Sequence, residues 1–251
     1  MAHQYHTYMT TNGSQPNPDA IARFEEACDL CDQAFEAQQN LQEEEVVEGL
    51  FQRAISQFDD ALRLGLGADE AITAYAYRGY AHFELGSYDE AITDLDEAIA
   101  RDKDFATAYW YRGLVRHYGM ESPELAEPDY DRALSLYEED PEYCDLDDAP
   151  AVYLDRAQAQ REMERWQEAA ASAVRAVALE PHNAEALHLL AVAEANSQRL
   201  ADAAGHLQEA IRLESELREE AEEEEDLEPL RADAVLWSQA MTPRRGRRGQ
   251  A

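Results

Sequence analysis

Cys28-Asp-Leu-Cys31 has the spacing of a metal-ligand pair, and two thiolates so placed can hold half of a zinc site. No second pair follows at zinc-site distance, and Cys144 stands alone in a separate loop. Both cysteines also fall on one apolar stripe with Ile21, Phe24 and Phe35, so they read as small buried hydrophobes. His3 and His6 could chelate copper or nickel near a free amino terminus, but removal of Met1 before Ala2 would shift that register, and a flexible tail is the better reading. The other histidines are scattered, without a second ligand at useful spacing. No nucleophile–base arrangement, Gly-rich phosphate loop or dinucleotide fingerprint appears. Asp and Glu number 54 in 251 residues, too many for any pair to be singled out as catalytic. The sequence therefore nominates no catalytic residue, no metal ligand and no cofactor.

The same acids exclude several partners. Against them stand 21 basic residues, of which only Lys103 is a lysine, and the formal net charge is −33. Such a chain lacks the basic footprint that phosphate contacts need, so neither nucleic acid nor an anionic membrane surface is an expected partner. Hydrophobic residues make up 45%, enough for a sizeable core. Three cysteines argue against a disulfide scaffold. No apolar run approaches membrane-spanning length and the start has no signal-peptide pattern, so a soluble cytoplasmic protein is expected. A dense carboxylate surface with a single lysine is similar in composition to proteins of salt-loaded cytoplasm. That predicts greater stability in molar salt, where screening relieves self-repulsion.

Any chemistry here must be positioned by repeated elements. Gly79 and Gly113 are 34 residues apart in two nearly superimposable segments, and Ala157 and Ala191 repeat the step of 34. The middle interval is longer by about ten residues, visible as Glu138–Asp148 and one extra residue before Ala126. Small residues recur at Ala91, Ala126, Ala169 and Ala203, and again at Ala98, Ala133, Ala176 and Ala210. Between them stand Leu95, Tyr130, Ala173 and Leu207 at the bulky position. Tyr75, Tyr109, Tyr153 and Leu187 fill the place near the start of each preceding helix. This pattern resembles the tetratricopeptide repeat. The resemblance implies an all-α, right-handed superhelix (α-solenoid) of about five antiparallel helix-pair repeats.

The expected organisation is a flexible tail at 1–16, a repeat domain at 17–217 and a C-terminal region at 218–251. Within the repeat domain an irregular first unit spans 17–67, followed by 72–105, 106–140, 150–183 and 184–217, with an insertion near 138–149. In the first unit Asn17 should cap a helix that opens on Pro18, and Gly65 and Gly67 should close the second helix. Pro128 should kink or delay the second helix of its unit. In the C-terminal region, Glu219–Asp226 forms an acidic block, and Leu227, Leu230, Ala234, Trp237 and Met241 predict one amphipathic helix over 227–241. That helix should cap the solenoid, dock in its groove or bind a partner. Arg244, Arg245, Arg247 and Arg248 make a basic tail suited to the acidic body of the same or a neighbouring chain.

One departure from the family pattern suggests inter-repeat contacts. Arginine replaces the usual leucine just before the small residue at Arg78, Arg112 and Arg156. Asp59, Asp96 and Asp131 follow the bulky position of the preceding unit, which predicts the pairs Asp59–Arg78, Asp96–Arg112 and Asp131–Arg156. At the fourth junction Leu190 and Val174 should form an apolar pair instead.

The resemblance also implies an inner face lined by first helices. Carried over position by position, it offers Tyr80 and Phe83, then Trp110, Leu114, His117 and Tyr118, then Leu154, Arg161 and His188. Chaperone-binding members of the family clamp a terminal carboxylate with lysines and asparagines. Here those positions hold no lysine and only Asn196, so a carboxylate clamp is disfavoured and a basic or apolar peptide or helix is the expected protein partner. The function expected is a non-catalytic protein–protein interaction scaffold. The alternative is a structural or assembly subunit that self-associates through the groove or the helix of Trp237.

Overall fold

The computed structural model describes residues 17–139 and 148–242. The expected tail at 1–16, most of the insertion with Cys144, and the four-arginine tail lie outside the described residues. The described residues form helices and turns without a strand. They divide into two compact units, Met1–Leu136 and Tyr137–Ala251, with the boundary inside the last turn of one helix.

The first unit holds α1 (Pro18–Gln39), α2 (Glu44–Leu64), α3 (Ala68–Glu84), α4 (Tyr88–Arg101), α5 (Ala106–Leu114) and most of α6 (Pro123–Glu139). The second holds α7 (Ala149–Glu162), α8 (Trp166–Leu179), α9 (Ala184–Asn196) and α10 (Leu200–Leu213). There follow α11 (Leu217–Glu223), a 3₁₀ turn (Glu225–Leu227), α12 (Glu228–Arg231) and α13 (Ala234–Ala240). Hairpin partners pack on each other, and the second helix of one pair packs on the first of the next: α2 on α3, α4 on α5, α8 on α9. Each unit is thus a stack of helix pairs.

Side-chain size explains the small residues. A Cβ on Gly79 would lie 2.8 Å from Leu95, and one on Gly113 would lie 2.5 Å from the ring of Tyr130. Where the facing residue shrinks to Ala173, the small position is Ala157, and both are fully buried. Close packing sets these pairs, since an interior has no slack for an unmatched methyl.

Asn17 accepts a hydrogen bond from the Asp19 N–H at 3.0 Å, and Pro18 opens α1. Each three-residue hairpin turn contains one residue at positive φ: Gly86 at 71°, Glu164 at 56°, Gln198 at 64°. The next N–H reaches back into the helix, Ser87 to His82 O and Arg165 to Gln160 O, both at 2.8 Å. This is the Schellman closure, which favours glycine at the left-handed position; only the first of these turns has it.

Two expectations are corrected. Pro128 does not delay its helix, because α6 starts at Pro123 and continues past it. The single helix expected over 227–241 is broken at Ala232 and Asp233, where the Asp233 carboxylate accepts from the N–H groups of Val235 and Leu236 and starts α13 afresh. A local capping side chain overrides the apolar period. The extra residue before Ala126 is absorbed as one π-turn at Val115–Gly119, where the Met120 N–H donates to Val115 O at 2.9 Å.

Candidate functional site

Two of the junction arginines, Arg78 and Arg112, each hold two carboxylates. Arg78 reaches Asp59 at 2.5 Å with one terminal nitrogen and grips Asp94 with Nε at 2.7 Å and its other terminal nitrogen at 2.5 Å. Arg112 repeats this with Asp96 at 2.6 Å and with Asp129 at 3.0 and 2.6 Å. Asp94 and Asp129 belong to the second helix of the arginine's own pair. Their side chains are 7% and 4% exposed, against 58% and 54% for Asp59 and Asp96. Burial alone would lower the Arg78 pKa; hydrogen bonds and charge from Asp94, then Asp59, outweigh it and leave the guanidinium above its ordinary value. Each arginine also lies over the tyrosine one turn earlier, 5.4 Å from Tyr75 and 5.5 Å from Tyr109.

The third expected pair divides between the units, Asp131 in the first and Arg156 in the second. In the second unit Arg156 Nε donates to Ser172 Oγ at 3.1 Å, and Ser172 donates to Gln160 at 2.7 Å. At the fourth junction Leu190 is buried with Ala170 and Ala173, while Val174 is exposed. The position after the bulky residue faces outward; the position before it faces in. Sequence reasoning chose the outward carboxylates and missed Asp94 and Asp129. Their placement one residue before Leu95 and Tyr130, mirrored by Ser172 before Ala173, was the available signal.

In the first unit an aromatic series crosses the first helices. Phe35 on α1 lies 5.1 Å from Tyr80 on α3, and Tyr80 lies 4.7 Å from Tyr111 on α5. Trp110 stands 5.3 Å from Tyr111, and Phe83 is 5.9 Å from Tyr80. Tyr80, Phe83 and Trp110 are half-buried. The expected groove register fails beyond them. Leu114 and His117 are buried, and His117 Nδ1 sits 3.2 Å from the Tyr130 hydroxyl, so neither offers a surface to a partner. Tyr118 is exposed. For His117 the π-turn explains the failure: the extra residue within Val115–Gly119 rotates the side chains of that turn by about 100° around the helix.

In the second unit Arg161 and Asn196 touch the chain's own C-terminal segment. Arg161 on α7 donates through Nε to Asp226 and through a terminal nitrogen to Glu224, each at 2.8 Å. Asn196 on α9 donates to the Asp226 backbone carbonyl at 2.7 Å and to Val192 O at 2.9 Å. His188 lies between them on α9, half-buried, and burial lowers its pKa before the nearby charges act. Leu154 packs at the edge of the core around Ala157 and Leu190. Leu217, Ala221, Leu227 and Leu230 join the core of α9 and α10, and Trp237 packs against it with Arg231 5.4 Å over its ring. Trp237 therefore closes the last repeat pair of its own chain.

Two further sets of titratable groups are tied into the helix packing. Glu194, fully buried on α9, is held by Arg199 and by His206 at 2.7 Å, and its hydrogen bond raises the His206 pKa. The Cys31 thiol is pushed up to about 12, by burial first and then by the Asp32 charge, and Cys28 is raised further for the same leading reason. Both stay protonated and pack around Phe24 and Phe58. Among the described residues no cluster of three metal-ligating side chains occurs, and no helix is long and apolar enough to cross a membrane.

Residues 79–117 match a family described as TPR repeat, and residues 154–216 match one described as Tetratricopeptide repeat. No curated protein matches the sequence. Among solved structures the chain is similar to YrrB, described as a TPR protein with an unusual peptide-binding site, at 20% identity and a TM-score of 0.53 over 80% of this chain and 94% of that one. PilW, a type IV pilus biogenesis factor, aligns at 16% identity and a TM-score of 0.61 over 85% and 90%. MamA from Desulfovibrio magneticus RS-1 aligns at 16% identity and 0.58 over 80% and 98%. At these identities the structural likeness carries the fold alone. The chain therefore carries tetratricopeptide repeats at residues 79–117 in its first unit and 154–216 in its second.

Proposed function

We propose that the chain is a non-catalytic protein-interaction scaffold whose first unit holds a peptide or helix against the aromatic face of α1, α3 and α5. One observation carries this reading: Tyr80, Phe83 and Trp110 stand half-buried along a continuous series of rings, on a chain otherwise coated in carboxylates. Aromatic anchors supply large contact area at small entropic cost. Glu84, which accepts from Gln38 at 2.6 Å, adds negative charge beside them, and this favours a basic or apolar segment over an acidic one. The peptide-binding site described for YrrB supports the same direction.

The test is a comparative pull-down from the native host at its native salt. Trp110→Ala with Phe83→Ala should abolish capture of the wild-type partner set while helicity is unchanged. Capture that survives both substitutions moves the binding surface elsewhere. Light scattering on the purified chain separates this reading from self-assembly, for which a stable oligomer is required.

A further inference from the structure

The second unit presents chemistry opposite to that of the first. Its inner helices place Arg161 and Asn196, on α7 and α9, against the turn at residues 224–227. The guanidinium takes two carboxylates, the amide takes a backbone carbonyl, and the next side chain, Leu227, is completely buried. Arg231 then donates to Glu224 O at 2.7 Å and fixes the turn from behind. Side chain, backbone and apolar anchor are all read, as in a peptide complex. The His188 Nε2 atom is buried in the same region without a hydrogen-bond partner, a polar atom left over by the segment that fills the site.

We propose that Arg161, His188 and Asn196 form a receptor for an acidic segment of the form acid-x-acid-leucine, that Glu224–Leu227 occupies it in cis, and that a partner's acidic segment exchanges with it. Two features argue that the contact is selected by the site and is not a general consequence of charge. The chain has a net charge of −33, so an acidic block should be repelled from its surface on average. The block is nevertheless brought to Arg161, whose side chain is only 21% exposed, in a setting where screening is weakened. The cis segment is tethered, so its effective concentration exceeds that of a free competitor. Exchange therefore needs either a tighter partner or a weakened tether contact. The receptor lies in the second unit and does not depend on the reading given to the first.

The probe is a fluorescein-labelled peptide with the sequence of residues 219–232, followed by anisotropy on the full chain. The wild-type protein should bind it weakly. Glu224→Gln with Asp226→Asn should empty the receptor and raise affinity for the peptide at least tenfold. Adding Arg161→Gln to that double variant should return affinity to the wild-type level or below. Asn196→Ala removes the grip on the Asp226 carbonyl by a route that leaves every charge in place, and it should weaken peptide binding to the double variant. Thermal melts check that each variant remains folded. A folded double variant that binds no better than wild type overturns the proposal. So does a gain in affinity that Arg161→Gln leaves intact.

Discussion

Arg78 provides an internal control, because one guanidinium holds two carboxylates of very different exposure. Asp94→Ala leaves a guanidinium that is 17% exposed without its bidentate partner, and breaking a buried pair from one side costs about 3–5 kcal/mol. Asp59→Ala removes a partner that is 58% exposed, and exposed pairs contribute about 0–1 kcal/mol. For a chain of this size each kcal/mol moves the midpoint by about 2–4 °C. The Asp94 variant should therefore melt at least about 6 °C lower, and the Asp59 variant within about 4 °C of wild type. Thermal melts followed by circular dichroism, on both variants and the double variant, read these shifts directly. The double variant should resemble Asp94→Ala alone, because the exposed arm adds little once the buried one is gone. Equal losses from the two single variants would refute the reasoning, since they would mean that burial does not rank the arms.

Four further outcomes are expected. Gly113→Ala should destabilise by about 1–3 kcal/mol in urea unfolding, as its Cβ would meet the Tyr130 ring at 2.5 Å. Gln198→Gly should raise the melting midpoint, because the position has φ of 64° and a side chain there is strained by about 1 kcal/mol. His206 has a folded pKa above its ordinary value through its bond to Glu194. Its stabilisation should be complete below the ordinary histidine range and be lost as pH rises through the raised value, and a pH series of melts on wild type and His206→Gln should converge at high pH. Molar salt should raise the melting midpoint, because screening contracts from about 8 Å at physiological strength to about 3 Å at 1 M and relieves the repulsion of the acidic coat; no gain would leave the acidity to partner selection.

The parts of the fold governed by local size and period were readable. Gly79, Gly113, Ala157 and the alanines around the bulky positions mark helix pairs because close approach tolerates nothing larger, and that constraint is written in single residues. Features that depend on azimuth were harder. Asp94 and Asp96 differ by two positions, yet one is buried and the other exposed, and only the orientation of α4 on α3 separates them. Most of the acids form a solvated coat, but the buried Asp94, Asp129 and Glu194 do not. No lysine marks that face, yet the guanidinium of Arg161 holds the carboxylates of Glu224 and Asp226 of its own chain. The cis contact of Glu224 and Asp226 spans more than sixty residues of sequence, and no periodicity encodes such a pairing.

The π-turn after α5 has a consequence for how such surfaces diversify. The helix enters it with Gly113 seated against Tyr130 and leaves it at Gly119 against Tyr88. Both packing contacts hold the helix in place, so the inserted residue re-aims only the side chains between them. A single added codon can thus change which residues a repeat displays without disturbing its neighbours. Deleting one residue within Val115–Gly119 would perform the reverse change, turning His117 outward and Tyr118 along the helix while the stack of pairs stays closed.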